Sequence, residues 1–345
     1  MKMFIRTRSI RGFTLVELMV ALALAGFILL GLSAYFVSSS RSFSETERVS
    51  RQIENGRYAS SLLAEEIRHA GFYGEVGNVM SLPPTSAIAL PGAMPDPCEP
   101  AIASVRAALP IAVQGVDSPD ALTTKCQAAL ANYLSGTDVI VIRRASTIPV
   151  GPASAGPAAG DGYYTQVAYC ETADPMFKVA QTAFNLKAKD CTTDNPVRQL
   201  HVYVYYIASC SINCGVGAPS IPTLKRAELS AGGTFTVTPL VEGIENMQFE
   251  YGIDTNGDGN PDVYKALPAS VTEWSQVVTV SVNLLARNID KTPGYVDNKT
   301  YYLGKDRLGA DNIPAATNDS YRRHNYRELV RVQNPSQRSE ASFAS

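Results

Sequence analysis

The sequence predicts an α+β fold, with one long N-terminal helix followed by a domain built mainly of antiparallel strands. Three observations predict it. Residues 13–37 form an apolar run that holds one charge, Glu17. The stretch after it keeps a three-four spacing of apolar and small residues, Val49, Ile53, Gly56, Ser60, Leu63 and Ile67. Beyond Gly74, β-branched and aromatic runs alternate with loops, without the regular strand–helix alternation of a parallel sheet.

The apolar run comes first. Its 25 residues would span roughly 37 Å as a helix, enough to cross a bilayer with some tilt. Lys2, Arg6, Arg8 and Arg11 precede it and no acid does, so the positive-inside rule places the start of the chain in the cytoplasm and everything after residue 37 outside. An ordinary secretory signal has a shorter apolar core that ends at a small-residue cleavage site. Here the pattern continues instead into "SSSRSFSETERVSRQIENGRYASSLLAEEIRHAGFYG", with no proline before Pro83. One helix is therefore expected over 13–69, stopped by Gly71 and Gly74. Gly26 and Gly31 each lower its stability by about 1 kcal/mol relative to alanine. Glu17 is the anomaly, since a carboxylate at the centre of a membrane helix costs about 2.5–3.5 kcal/mol on insertion scales and needs a partner.

The body follows. Prolines 83, 84, 91, 95, 97 and 100 mark a loop region. "TDVIVIRRAS" is a strand candidate, and "GPASAGPAAGDG" is a loop. "QLHVYVYYIA" is a second strand, with His201, Tyr203 and Tyr205 on one face and Val202, Val204 and Tyr206 on the other. Stacked aromatics could serve single-stranded nucleic acid. No basic surround accompanies these, so a sheet face is the reading taken. "GTFTVTPLVEGIENMQFEYGI" reads as two strands around a short polar link, "WSQVVTVSVNLLARN" as one long strand and "YRELVRVQN" as a short last one. The tail 335–345 is polar and is expected to fray.

The totals exclude some classes. The net charge of −2 argues against a general nucleic-acid binder, and without the four N-terminal cations 26 basic and 32 acidic residues remain. Cys98, Cys126, Cys170, Cys191, Cys210 and Cys214 all follow the apolar run. An even, widely spaced set suits disulfides in an oxidising compartment, with fifteen pairings open. Zinc would want close pairs such as CxxC, and Cys210 with Cys214 is the nearest approach to one. His69, His201 and His324 fall in no metal or triad pattern, and no G-x-S-x-G, phosphate loop or dinucleotide fingerprint occurs, so no enzyme is expected.

"DTNGDGNPD" is the remaining sharp motif. Asp254, Asn256 and Asp258 place oxygens at alternate positions, and Gly259 allows a tight turn. The Asn260 carbonyl and Asp262 can complete an oxygen shell of the kind Ca²⁺ takes. An EF-hand would carry Glu where Lys265 stands, so a helix-loop-helix site is excluded. A calcium-binding hairpin loop is the expectation, against the alternative of a metal-free Asn-Gly/Asp-Gly turn. Mg²⁺ suits such a loop less well.

"RGFTLVELMVALAL" resembles the class III signal of type IV pilins and pseudopilins. The resemblance implies that a prepilin peptidase cuts after Gly12, that the new N-terminal Phe13 is methylated, and that the retained helix serves as membrane anchor and then as filament core. It also implies a partner for Glu17, the amine of Phe13 on a neighbouring subunit, with an internal pair one turn away as the competitor. The chain then divides into a cleaved leader (1–12), a transmembrane and filament-core segment (13–37), an amphipathic continuation (38–73), a periplasmic β-rich domain (74–334) and the tail. "EEIRHAGFYG", "GTDVIVIRRAS", "PTLKRAEL", "LVEGIENMQFEYGIDTNGDGNPD", "WSQVVTVSVNLLAR" and "YRELVRVQN" come in the order found in PilW minor pilins. That resemblance implies a role in priming pilus assembly within a tip complex. The implied partners are other minor pilins, the major pilin and, before assembly, inner-membrane lipid, with no nucleic acid expected. The family often has a cysteine after "AGFYG" where this chain has Glu75, which unsettles any inherited disulfide pattern. A J-type pseudopilin of type II secretion shares the architecture, and an adhesin or DNA-binding module at the tip is the alternative of a different class.

Overall fold

The computed structural model describes residues 12–117, 122–150, 162–170, 175–212, 214, 215, 217, 220–230 and 232–343. The leader and the "GPASAGPAAGDG" loop thus lie largely outside the described residues. Two compact units divide the chain, Met1–Ser50 and Arg51–Ser345. Helix α1 (Leu15–His69) begins in the first and ends in the second. It runs unbroken through Gly26 and Gly31, and Gly71 and Gly74 follow it with φ of 75° and 78°, the left-handed region that glycine enters without penalty. By length and composition the helix can cross a membrane, and none of its most apolar 18-residue window is buried.

In the second unit, the described residues form two antiparallel sheets. The first contains seven strands: β1 (Val113–Val116), β2 (Val139–Ala145), β3 (Tyr163–Val167), β4 (Phe177–Ala180), β5 (Val197–Ala208), β6 (Thr223–Leu229) and β7 (Phe235–Glu242). β5 is its spine. β3 pairs with its first residues and β6 with its last, so these two share one edge end to end, while β2 overlaps both and takes the other edge. The second sheet has the order β11 (Arg323–Arg331), β10 (Val277–Arg287), β8 (Ile244–Ile253) and β9 (Val263–Lys265). β7 and β8 are separated by Gly243 alone, at φ 81°, where a Cβ would lie 2.6 Å from the Arg287 carbonyl oxygen. That glycine is the short link expected between the two strands. The expected long strand starts later than its sequence suggested, because Trp274 and Ser275 close a short helix, α4 (Val271–Ser275), capped by Ser270 Oγ.

Both faces of the first sheet are buried. Ile140, Ile142, Tyr203 and Tyr205 join Leu63 and Ile67 of α1 and Phe249, Val280 and Val330 of the second sheet in one core. Val139, Val141, Val202, Val204 and Tyr206 face a second core with Tyr73, Leu109, Cys126 and Leu130. This explains why "VIVI" and "VYVYYI" read as near-continuous apolar runs rather than clean alternations. Two short helices, α2 (Ile102–Ala107) and α3 (Thr124–Ala129), follow the proline-rich region, and at 6 residues each they are too short to show a helical period in the sequence. Buried Asp138 joins the sheets, its Oδ2 accepting from the Phe249 N–H at 2.9 Å.

Two expectations need correction. The buried face of α1 runs through Gln52, Gly56, Ala59, Ser60, Leu63, Ala64 and Ile67, while Ile53 is exposed. Gln52 displaces it because its amide donates to the carbonyls of Ala286 and Arg322 at 2.9 and 3.1 Å, satisfying backbone at the end of β10. The tail 335–345 is not a fraying coil as far as it is described, because Gln333–Phe343 forms helix α5. Asn334 Nδ2 donates to the Ala70 carbonyl at 3.1 Å and buried Ser336 Oγ to the Gly259 carbonyl at 2.8 Å.

Candidate functional site

Gly12 and Phe13 precede α1 as exposed, non-helical residues. Thr14 and Glu17 form a capping box. The Thr14 N–H and hydroxyl donate to Glu17 Oε2 at 2.9 and 2.8 Å, and the Glu17 N–H donates to Thr14 Oγ1 at 3.3 Å. The expected amine of Phe13 is therefore not the sole local partner open to this carboxylate. The T-x-x-E spacing carries that signal in the sequence.

The acidic loop joins β8 to β9, on a hairpin as expected. Buried Asp254 accepts from the N–H groups of Gly257 and Gly259 at 2.7 and 2.8 Å. Asn256 Oδ1 accepts from the Asp258 N–H at 2.9 Å, and Asp258 Oδ1 from the Asn260 N–H at 2.8 Å. Asp262 Oδ2 takes the Thr255 hydroxyl and N–H, both at 2.7 Å, and these bonds hold its carboxyl below the usual carboxylate range. The donor set is all oxygen, at positions one, three, five, seven and nine of the motif, which fits a hard cation such as Ca²⁺. Each carboxylate is at the same time spent on the loop's own backbone, so the turn also closes without metal. Lys265, where an EF-hand would place Glu, pairs with Glu273 at 2.8 Å. Gly259 sits against α5, and a Cβ there would come within 2.4 Å of Glu340 Cγ.

All six cysteines pair with a neighbour in sequence, as Cys98–Cys126, Cys170–Cys191 and Cys210–Cys214. Among the described residues, Asp96, Cys98 and Cys126 group their ligand atoms within 4.8 Å, but the disulfide consumes both sulfurs. Glu75, where the PilW resemblance leads one to expect cysteine, pairs instead with Arg198 at 2.9 Å.

Two family profiles match the chain. Residues 7–33 match the Prokaryotic N-terminal methylation motif, and residues 204–334 match Type IV Pilus-assembly protein W. In these two stretches the chain is similar to type IV pilin-like proteins of the PilW type. No curated protein sequence matches it. Among solved structures it is similar to the type IV-like pilin TTHA1219 from Thermus thermophilus, at 11% identity over 83% of this chain and 97% of that one, with a TM-score of 0.38. The prepilin motif and the apolar helix fit a pilin anchored in the inner membrane and then carried into the pilus, and the family is one of structural subunits.

The tyrosine ladder belongs to the core. The guanidinium groups of Arg144 and Arg226 lie 5.4 and 4.5 Å from the Tyr203 ring centre, and these arginines pair with Glu66 and Glu228. His201 stacks on the same ring and meets Glu228 at 3.1 Å. His69 Nδ1 contacts the Glu65 carbonyl one turn back at 2.9 Å, and His324 packs edge-on against Tyr326. Sequence reasoning missed Arg323. Its side chain is 1% exposed, and its guanidinium gathers Glu245, Asp297 and Asp319, which clamps the long 288–322 excursion onto the second sheet. Nothing in the spacing of those acids announces that they converge.

Proposed function

We propose that this pilin is a minor subunit that helps to prime pilus assembly as part of a tip complex of minor pilins, with its β-rich domain in the periplasm before incorporation. The observation that carries the reading is the Gly12–Phe13 junction, followed by a capped, uncovered apolar helix with one carboxylate. Processing at Gly12 frees the Phe13 amine, a buried cation once the helix sits among other helices. Glu17 of an adjacent subunit neutralises it, and the cost of leaving either charge alone in an apolar medium sets the register between neighbours. Prepilin peptidase, other minor pilins, the major pilin and inner-membrane lipid are the partners of this cycle.

Glu17→Val tests it. The substitution makes the helix more apolar, so membrane insertion persists, and the N-terminal peptide still begins at methylated Phe13 by mass spectrometry. Incorporation into filaments falls. A Glu17→Val protein that assembles like the parent would sink the charge-pairing mechanism, and a mature chain that keeps residues 1–12 would sink the pilin reading. We further propose Ca²⁺ as a ligand of Asp254, Asn256, Asp258, Asn260 and Asp262, supported by their all-oxygen spacing on a hairpin turn.

A further inference from the structure

Cys210 and Cys214 close the shortest disulfide ring in the pilin, with a sequence separation of 4 against 28 for Cys98–Cys126 and 21 for Cys170–Cys191. A short ring restricts the unfolded chain least, so opening it costs the fold least. The ring follows β5 and precedes β6, with Cys210 buried and Cys214 half-exposed. Each sulfur faces its own donor. Ser209 Oγ donates to Cys210 Sγ at 3.9 Å, and the Lys225 ammonium, reaching over from β6, lies 4.0 Å from Cys214 Sγ. Lys225 is buried, and that burial pushes its amine below the ordinary lysine range, so a thiolate beside it would be a favourable neighbour.

The Cys98–Cys126 bond has the opposite surroundings. Both cysteines are buried, and Asp96 Oδ1 lies 3.9 Å from Cys126 Sγ, where a second negative charge is unfavourable. Cys170–Cys191 ties the end of β3 to a distant turn, and its reduction would release a longer loop.

We propose that Cys210–Cys214 is a thiol–disulfide exchange site for a dithiol reductant, with Lys225 as the positioning residue that stabilises the Cys214 thiolate. In the first step a thiolate of the reductant attacks half-exposed Cys214 Sγ. The Cys210–Cys214 bond breaks, and its electron pair leaves on Cys210, which takes a proton beside the Ser209 hydroxyl. In the second step the other thiol of the reductant, deprotonated, attacks its own partner sulfur in the mixed disulfide. The bond to Cys214 breaks, and Cys214 leaves as a thiolate facing the Lys225 ammonium. Two electrons pass, the reductant becomes a disulfide, and reversal of both steps restores the ring.

The test uses the full chain in detergent micelles. Graded dithiothreitol under native conditions, alkylation and peptide mass mapping should label Cys210 and Cys214 at a reductant concentration about tenfold below that needed for the other four cysteines. Lys225→Met should raise that concentration about tenfold and shift the pH at which Cys214 alkylates upward, and Lys225→Arg should restore both. Unlabelled Cys98 and Cys126 in the same sample report that each variant is folded. Earlier labelling of either other pair, or a Lys225→Met protein that reduces like the parent, overturns the proposal.

Discussion

Arg323→Met removes the cation at the centre of the clamp on the 288–322 excursion. The guanidinium donates to Asp319 through two bonds of 2.7 Å, to Asp297 at 3.1 Å and to Glu245 Oε1 at 3.0 Å. Asp297 is fully buried and keeps two phenol donors, Tyr295 at 3.0 Å and Tyr301 at 3.0 Å, but no positive charge. Breaking a buried ion pair from one side costs about 3–5 kcal/mol, because the other charge stays buried. For a domain of this size each kcal/mol lowers the melting temperature by about 2–4 °C, so a fall of roughly 6–20 °C is expected. Circular dichroism melts of the full chain in micelles measure it. Asp297→Asn added to Arg323→Met should recover part of the loss, since it removes the stranded charge.

The pH dependence of the same contrast has a definite sign. Hydrogen bonds from Arg323 hold Asp319 at about 2, below its unfolded value of 3.8. The depressed carboxylate therefore stabilises the fold above pH 3.8 and loses that contribution as the pH falls toward 2. The gap between parent and Arg323→Met should narrow across that window. A variant that melts within about 2 °C of the parent, or a double variant no better than the single one, refutes the clamp.

Other expectations are simpler. Gly56→Ala would place a Cβ 2.1 Å from Tyr326 Cε2, so the helix or the ring must move at a cost of about 1–3 kcal/mol, and Tyr326→Leu in the same chain should relieve it in a denaturant titration. If the acidic loop holds Ca²⁺, the full chain melts higher in millimolar calcium than in chelator, with a gain of about 2.7 kcal/mol at a hundred times the dissociation constant. Asp254→Ala and Asp258→Ala should abolish that difference and Lys265→Ala should preserve it. Coincident melts for the parent, with no heat of binding, would reduce the loop to a turn.

The sequence by itself determined the parts of this protein that depend on local order along the chain. The 13–37 apolar run, the cations ahead of it, the Gly12–Phe13 junction and the glycines at 71 and 74 are all contiguous signals, and helix α1 follows from them. The main strands of β2, β5, β8, β10 and β11 were legible for the same reason, since period and β-branching act over a few residues. The tertiary structure decided what depends on residues far apart. Ile53 lost its place in the core to Gln52 because two distant carbonyls needed a donor, and the polar tail became α5 because Ala70 and the Gly259 loop offer it acceptors. The Arg323 clamp, which gathers acids from β8 and the 288–322 excursion, and the double burial of β5 likewise arise only once separate elements pack together. Their energies come from burial and charge compensation between elements, and such terms leave no periodic trace in a linear chain.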